Sequence, residues 1–220
     1  MNVFMEWIYV TSKKKEMVWI SKEMDVAEAL TFAEDIEKTG RVKQLLFYDA
    51  RGVAWTKKEL IKLMKEVETE PHDVVAYFDG GFDRQSKKAG VGIVIYYKQN
   101  GKLFRMRANA QLDELQSNNE AEYAAFHFLL EQLEHLGVHH LPVVFRGDAH
   151  VVFHQLSGDW PVFSEEGRWA ERIERKMKRL GISPIYEPIV RKENSEADQL
   201  ATQALRGTTI RSTIQLERER

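Results

Sequence analysis

Four carboxylates occupy positions from which they could act together. Asp79 follows the apolar run at 74–78 and precedes Gly80-Gly81. Asp148 follows a second apolar run, Pro142-Val143-Val144-Phe145, through Arg146 and Gly147. Glu122 stands near the start of a long helical pattern, and Asp198 in the first turn of another. Strand ends and helix starts are where an α/β sheet presents functional groups. If folding gathers the four, their like charges crowd, and a cation must offset them. Hard oxygen donors without His or Cys favour Mg²⁺ or Mn²⁺ over zinc. Two such ions about 3.5–4 Å apart can activate a water and stabilise a leaving oxygen in phosphodiester hydrolysis.

Each acid also has an ordinary reading. Asp79-Gly80 is a common turn pair. Ser195-Glu196-Ala197-Asp198 has the spacing of a capping box, and Glu122 near a helix N-terminus suits the macrodipole. Yet Glu122 shares a helical face with Phe126, Leu129, Leu133 and Leu136. An acid heading an apolar stripe needs a partner.

The elements that must position these residues fall into two groups. Before residue 71 the order is β-β-α-β-α: strands at 4–11, 16–21 and 44–48, helices at 26–38 and 57–66. Thr56 and Glu59 form a capping box for the second helix. The charged stretch 66–73, with Pro71, reads as a linker. Beyond it come strands at 74–78, 90–97 and 102–109, the last two joined by Asn100-Gly101, a strong hairpin signal. A helix at 119–136, a strand at 142–146, a helix at 169–180, a strand at 185–190 and a helix at 195–205 complete the series. Hairpin-linked strands followed by strand–helix alternation imply an α/β mixed sheet with helices on its faces. The predicted organisation is a small α+β domain at 1–70, a larger domain at 71–207 and a tail at 208–220, frayed or packed as a short strand.

The chain has no cysteine, which excludes disulfides, zinc–thiolate sites and cysteine nucleophiles and fits a reducing compartment. The first residues lack the basic start and cleavage site of a signal peptide, and no apolar run reaches the ~18 residues of a membrane span. The expected location is cytoplasmic. A net charge of −2 argues against a broadly basic nucleic-acid surface.

The ordered motifs resemble type 1 ribonuclease H. Phe78-Asp79-Gly80-Gly81 followed by Ala89-Gly90-Val91-Gly92-Ile93-Val94 is similar to the family's opening strand pair. Ser117-Asn118-Asn119-Glu120-Ala121-Glu122 resembles its Thr-Asn-Asn-x-x-Glu helix start, and Gly147-Asp148 its third acidic strand end. Asn194-Ser195-Glu196-Ala197-Asp198-Gln199-Leu200-Ala201 resembles its closing Asn-x-x-x-Asp-x-Leu-Ala helix. The resemblance implies a five-stranded ribonuclease H-like mixed sheet and endonucleolytic cleavage of the RNA strand of RNA–DNA hybrids. It implies that Asp79, Glu122, Asp148 and Asp198 are catalytic and bind two metal ions, Mg²⁺ or Mn²⁺. It places substrate contacts at Gly80, Gly81, Ser117, Asn118, Asn119, Glu193 and Asn194, with the two asparagines in the minor groove, where 2′-hydroxyls mark RNA. The alternative for Ser117-Asn118-Asn119 is helix capping.

Three departures stand out. Gly80-Gly81 replaces the family's common Gly-Ser. Arg191-Lys192-Glu193 stands where many bacterial members carry a histidine, as in the branch lacking it, and Glu193 is its candidate substitute. Only 157–167 is available where some members have a long basic protrusion. The helix that follows carries Arg168, Arg172, Arg175, Lys176, Lys178 and Arg179, read either as phosphate contacts or as a solvated face paired with Glu171 and Glu174. His150 and His154 share a helical spacing but read as ordinary histidines. Some family members carry an N-terminal hybrid-binding domain. Its signature residues have no match here, and Trp7, Trp19 and Trp55 read first as core. Partner binding or self-association is as good an expectation for 1–70 as substrate binding. A non-enzymatic nucleic-acid-binding or adaptor protein of the same fold, or a nuclease on another structured nucleic acid, are the competing readings.

Overall fold

The computed structural model describes residues 1–162 and 164–217; the side chains of 164–166 lie outside the description. Its contacts divide the chain into two units, Met1–Val67 and Glu68–Arg220. No helix among the described residues is long and apolar enough to cross a membrane.

The first unit contains β1 (Asn2–Val10), β2 (Glu16–Ile20), β3 (Met24–Asp25), α1 (Val26–Lys38), β4 (Val42–Asp49), β5 (Ala54–Trp55) and most of α2 (Lys57–Thr69). Its antiparallel sheet runs β2-β1-β4-β5, with β3 also paired to β1. Asp25 caps α1, accepting from the Ala27 and Glu28 backbone N–H groups, an acid at the positive end of the helix. Thr56 and Glu59 form the expected capping box: the Thr56 N–H donates to Glu59 Oε2 at 2.8 Å and the Glu59 N–H to Thr56 Oγ1 at 3.3 Å. Val3, Met5, Val26, Ala29, Ala33, Phe47 and Leu60 make the core, with Trp7 and Trp55 packed at its margin. Trp19 departs from expectation: it stacks on Trp7 but remains half exposed.

The expected linker at 66–73 is instead the last turn of α2 and the first residues of β6, separated only by Glu70 and Pro71. Helix propensity carries through Glu66, Val67 and Glu68, and Pro71 ends the run.

The second unit holds β6 (His72–Asp83), β7 (Lys88–Gln99), β8 (Lys102–Leu112), α3 (Asn118–His135), β9 (Pro142–Gly147), α4 (His150–Leu156), α5 (Ser164–Leu180), β10 (Ser183–Pro188), α6 (Ser195–Leu205) and β11 (Arg211–Leu216). The sheet has six strands rather than five, in the order β10-β9-β6-β7-β8-β11. β6, β7, β8 and β11 are antiparallel neighbours, while β9 runs parallel to β6 and β10 to β9. The sixth strand is the expected tail: β11 pairs along β8 from Arg211↔Ala108 to Leu216↔Leu103. It protects a sheet edge that β8 would otherwise leave open. Residues 218–220 lie outside the described part.

Helix α3 packs on β6 and β7, with α5 beside it, and α6 packs on β6, β7 and β8. The α3 side is filled by aromatic rings: Phe78 meets Phe126 at 5.0 Å and Phe153 at 5.5 Å, and Phe126 meets Phe145 at 4.8 Å. The α6 side uses small residues. A Cβ on Gly92 would lie 2.3 Å from the Ala197 carbonyl oxygen, so glycine lets α6 approach the sheet with its Ala197, Ala201 and Ala204 stripe.

Candidate active site

The parallel pairing of β6 with β9 ends at Tyr77↔Arg146. Beyond that point β6 continues, paired with β7 alone, while the chain leaves β9 through Gly147. A crevice forms at the carboxyl ends of parallel strands in this way. Asp79 therefore lies inside the long strand β6, not at a strand end as its turn-like Asp-Gly sequence suggests. Asp148 follows β9 directly. Glu122 lies past the first turn of α3, whose cap is Ser117, with Glu120 as the first-turn acid. Asp198 is in the first turn of α6.

The fold brings the four acids into one electrostatic neighbourhood. Asp79 is 7% exposed. Burial first, then the charges of Asp148 and Asp198, push its carboxyl up to about 7, against the opposing pull of Arg191. Glu122 is pushed up to about 9, by burial first and then by Asp79 and Asp148. The Gly80 backbone N–H, donating to Glu122 Oε2 at 3.2 Å, and Arg191 work in the other direction. Each of these carboxylates is costly to charge because it is buried beside other acids, and Arg191 offsets that only in part.

Glycine makes this contact possible. A Cβ on Gly80 would lie 2.3 Å from the Ala121 carbonyl oxygen and 2.6 Å from the Glu122 nitrogen. The strand and the helix carrying Glu122 thus touch backbone to backbone.

Two side chains organise the acids from the segment before α6, a 3-10 turn at Arg191–Asn194. Arg191 Nη2 donates to Asp198 Oδ1 at 2.6 Å, and the Asp198, Asp79 and Asp148 charges raise the guanidinium pKa further. Asn194, 1% exposed, donates from Nδ2 to the Phe78 carbonyl at 2.9 Å and to Asp148 Oδ1 at 2.8 Å. It ties β6, Asp148 and the start of α6 together. Asn194, an expected substrate contact, is buried, bonds to Asp148 and the Phe78 carbonyl, and also lines the cavity beside Tyr77 and Tyr96. The capping-box reading of Ser195 and Asp198 is not realised, since α6 has Asn194 at its N-cap and no side-chain cap bond. Arg191 was not among the expected site residues. Glu193, the candidate substitute for the family's histidine, is exposed and lines a cavity of about 120 Å³ with Tyr77, Tyr96 and Glu196.

The sequence model of the reverse transcriptase-like family matches residues 77–204, more than half of the chain. The chain belongs to this family. Its larger unit has the ribonuclease H fold. An uncharacterized protein of Bacillus subtilis (strain 168), YpeP, is 41% identical over 192 residues, covering 87% of this chain and 84% of that protein. Among solved structures, ribonuclease H1 of the halophilic archaeon Halobacterium salinarum NRC-1 is 28% identical with a TM-score of 0.54, covering 61% of this chain and 98% of that one. LC11-RNase H1, solved in complex with an RNA/DNA hybrid, is 25% identical with a TM-score of 0.55 and the same coverage.

In this reverse transcriptase-like domain the donor set fits a hard divalent cation. It comprises carboxylates alone, and they raise one another's pKa as an unneutralised set would. As they stand they are not drawn into a closed ligand set. Among the described residues, no three His, Asp or Glu side chains converge closely enough to hold a metal.

Beside the acids, Ser117 and Asn118 line a groove of about 490 Å³ with Phe82, Arg84, Lys87 and Gln116. Asn119 is exposed in the same turn, and Gly81 is half-buried on β6. Ser117 Oγ accepts from the Glu120 N–H at 3.1 Å, so capping and exposure of the asparagines coexist. Glu120 in turn accepts from Trp169 Nε1 at 3.1 Å, tying α5 to this end of α3. Among the described residues, the reading in which α5's basic side chains pair with Glu171 and Glu174 is not realised; Arg175 donates to the Glu171 backbone carbonyl at 3.3 Å. Lys176 and Arg179 both bind Glu134 of α3, at 2.9 and 2.8 Å, and Arg172 lies over the Trp169 ring. Two of those six charges, Lys176 and Arg179, therefore hold α5 to α3. The 157–167 stretch, expected in place of a basic protrusion, is described except for Phe163 and includes no added element before α5. His154 stacks on Trp160 and meets Asp159, while His150 is exposed.

Proposed function

We propose that the protein hydrolyses the RNA strand of RNA–DNA hybrids endonucleolytically, with Asp79, Glu122, Asp148 and Asp198 holding two divalent metal ions. The observation that carries this reading is the gathering of four acids at the β6–β9 crevice, two of them driven well above the usual carboxylate range. Bound there, Mg²⁺ or Mn²⁺ supplies the positive charge that favours an attacking water and a departing oxygen. The chain's own residues do the rest. Asn194 holds Asp148 in place, and the Gly80 N–H orients Glu122. Arg191 neutralises part of the acidic set before metal arrives. Beside Ser117, the side chain of Asn118 lines the groove with Arg84 and Lys87 where a duplex would lie, and that of Asn119 is exposed in the same turn. Their amides suit 2′-hydroxyls, which separate RNA from DNA, and the two cations suit backbone phosphates. The likeness to a structure holding an RNA/DNA hybrid supports the same substrate class.

The test is incubation of labelled hybrid, duplex RNA and duplex DNA with Mg²⁺ or Mn²⁺. Hybrid alone should be cut, and Asp148→Asn should cut nothing. Cleavage of duplex DNA in preference, or an active Asp148→Asn protein, would overturn the assignment.

A further inference from the structure

The first unit contains a strand built to meet another strand. β2 is the edge of its sheet. Met17, Val18, Trp19 and Ile20 are 57%, 58%, 49% and 61% exposed, so neither face of the strand is covered. Edge strands of soluble domains are normally blunted by an inward charge, a proline or a bulge. Between Met17 and Ser21 this one carries no charge, no proline and no glycine. Its pairing to β1 is regular, from Glu6↔Ile20 to Val10↔Glu16, and Trp19 is held in orientation by stacking on Trp7 at 6.3 Å.

The charges sit at the start of the strand and just beyond its two ends, and their order matters. Lys15-Glu16 precedes the apolar run and Lys22-Glu23 follows it. Consider two copies of β2 paired antiparallel about Trp19. Lys15 of one copy then faces Glu23 of the other, and Glu16 faces Lys22. Val18 faces Ile20, Met17 faces Ser21, and the two Trp19 residues face each other. All the charged end pairs are of opposite sign, and opposite charges placed directly across a strand pair stabilise it. A parallel in-register pairing instead sets Lys15 on Lys15 and Glu23 on Glu23, which is repulsive. The sequence is thus self-complementary in one orientation only.

We propose that β2 pairs with β2 of a second copy of this chain, antiparallel and centred on Trp19, joining the two N-terminal sheets into one continuous sheet. Such an interface is isologous, as a two-fold dimer requires. It uses main-chain hydrogen bonds for affinity and the end charges for register. Because the strand is short, the contact belongs to the weak, reversible class of interfaces. The inference is independent of the nuclease reading.

Sedimentation velocity of the full-length protein over a wide concentration range should show a reversible monomer–dimer equilibrium. Lys15→Glu places Glu against Glu23 at both ends and should weaken the dimer by about tenfold; Lys15→Glu/Glu23→Lys should restore it. Both positions are exposed, and circular dichroism is to check that the variants fold. The absence of native cysteine allows a second readout. Facing Cα atoms in such a pair lie about 4.5–5.5 Å apart, within disulfide reach. Trp19→Cys should therefore oxidise to a covalent dimer, while Met17→Cys, whose two copies are displaced along the strands, should not. A protein that stays monomeric throughout, a Lys15→Glu variant that dimerises as tightly as its parent, or preferential cross-linking of Met17→Cys would each overturn the proposal.

Discussion

Replacing Gly80 by alanine tests the backbone contact on which the site geometry depends. The added Cβ would lie 2.3 Å from the Ala121 carbonyl oxygen, 2.4 Å from its carbon and 2.6 Å from the Glu122 nitrogen. All are backbone atoms, so no side-chain rotation relieves the clash. Bringing the closest of these contacts to ordinary van der Waals distance moves the start of α3 away from β6 by about 1 Å. Overpacking of this kind costs about 1–3 kcal/mol. In a chain of this size that corresponds to a melting temperature lower by roughly 2–12 °C. The effect on the site should be larger than the effect on the fold. Glu122 moves with the helix, and its bond from the Gly80 N–H at 3.2 Å stretches beyond useful length. A misplacement of about 1 Å can cost on the order of 100-fold in rate. The assay is single-turnover cleavage of a labelled hybrid at saturating Mg²⁺, with circular dichroism to confirm folding. Gly167→Ala on α5, where a Cβ meets nothing within 4 Å, is the control and should leave both quantities nearly unchanged. A folded Gly80→Ala protein with full activity and an unchanged melting temperature would refute the argument that this contact positions Glu122.

Three further outcomes follow from the same site. Asp79 and Glu122 have folded pKa values raised to about 7 and about 9, so without metal their protonated forms favour the native state; that stability is fully present below about pH 4 and is lost as pH rises through those values. Melting temperature of metal-free protein should therefore fall between about pH 5 and 9, and saturating Mg²⁺ should flatten the slope; a slope unaffected by Mg²⁺ and by Glu122→Gln contradicts this. Arg191→Gln removes the guanidinium bound to Asp198 at 2.6 Å; because Arg191 is largely exposed, metal-free stability should drop by no more than about 1 kcal/mol, while Mg²⁺ affinity measured by calorimetry should rise, and a fall in affinity would count against its role as an internal counter-ion. Asn194→Ala strips the donors from the Phe78 carbonyl and Asp148; chemical denaturation should show a loss of about 1–3 kcal/mol together with a drop in kcat greater than in KM, and an unchanged kcat would show that Asp148 needs no such support.

Much of the site was legible in the chain itself, and the reasons are local. An acid at the end of an apolar run, an acid heading an apolar helix face and an acid in a helix's first turn are patterns of short range. Their order along 79–198 needs no knowledge of packing to be read. The hairpin at Asn100-Gly101 was equally plain: both residues have positive φ, 52° and 69°, as the tight turn demands. One departure was local, and another was decided by a neighbouring strand. The charged residues 66–69 read as a linker by composition, yet they finish a helix. For Arg211–Leu216, expected either to fray or to pack as a short strand, burial is slight and the edge offered by β8 decides for the strand.

The sequence by itself determined which residues carry charge, which elements they sit on and which family the chain resembles, because hydrophobic period, turn residues and motif order are written at short range. Only the tertiary structure decided how those residues meet. It placed Asp79 inside β6 rather than at its end, turned Asn194 inward to hold Asp148, and set Arg191 against Asp198 as the set's own cation. It also exposed both faces of β2. Burial and pKa depend on what lies across a sheet or against a helix, from residues tens of positions away, and no local pattern encodes that distance.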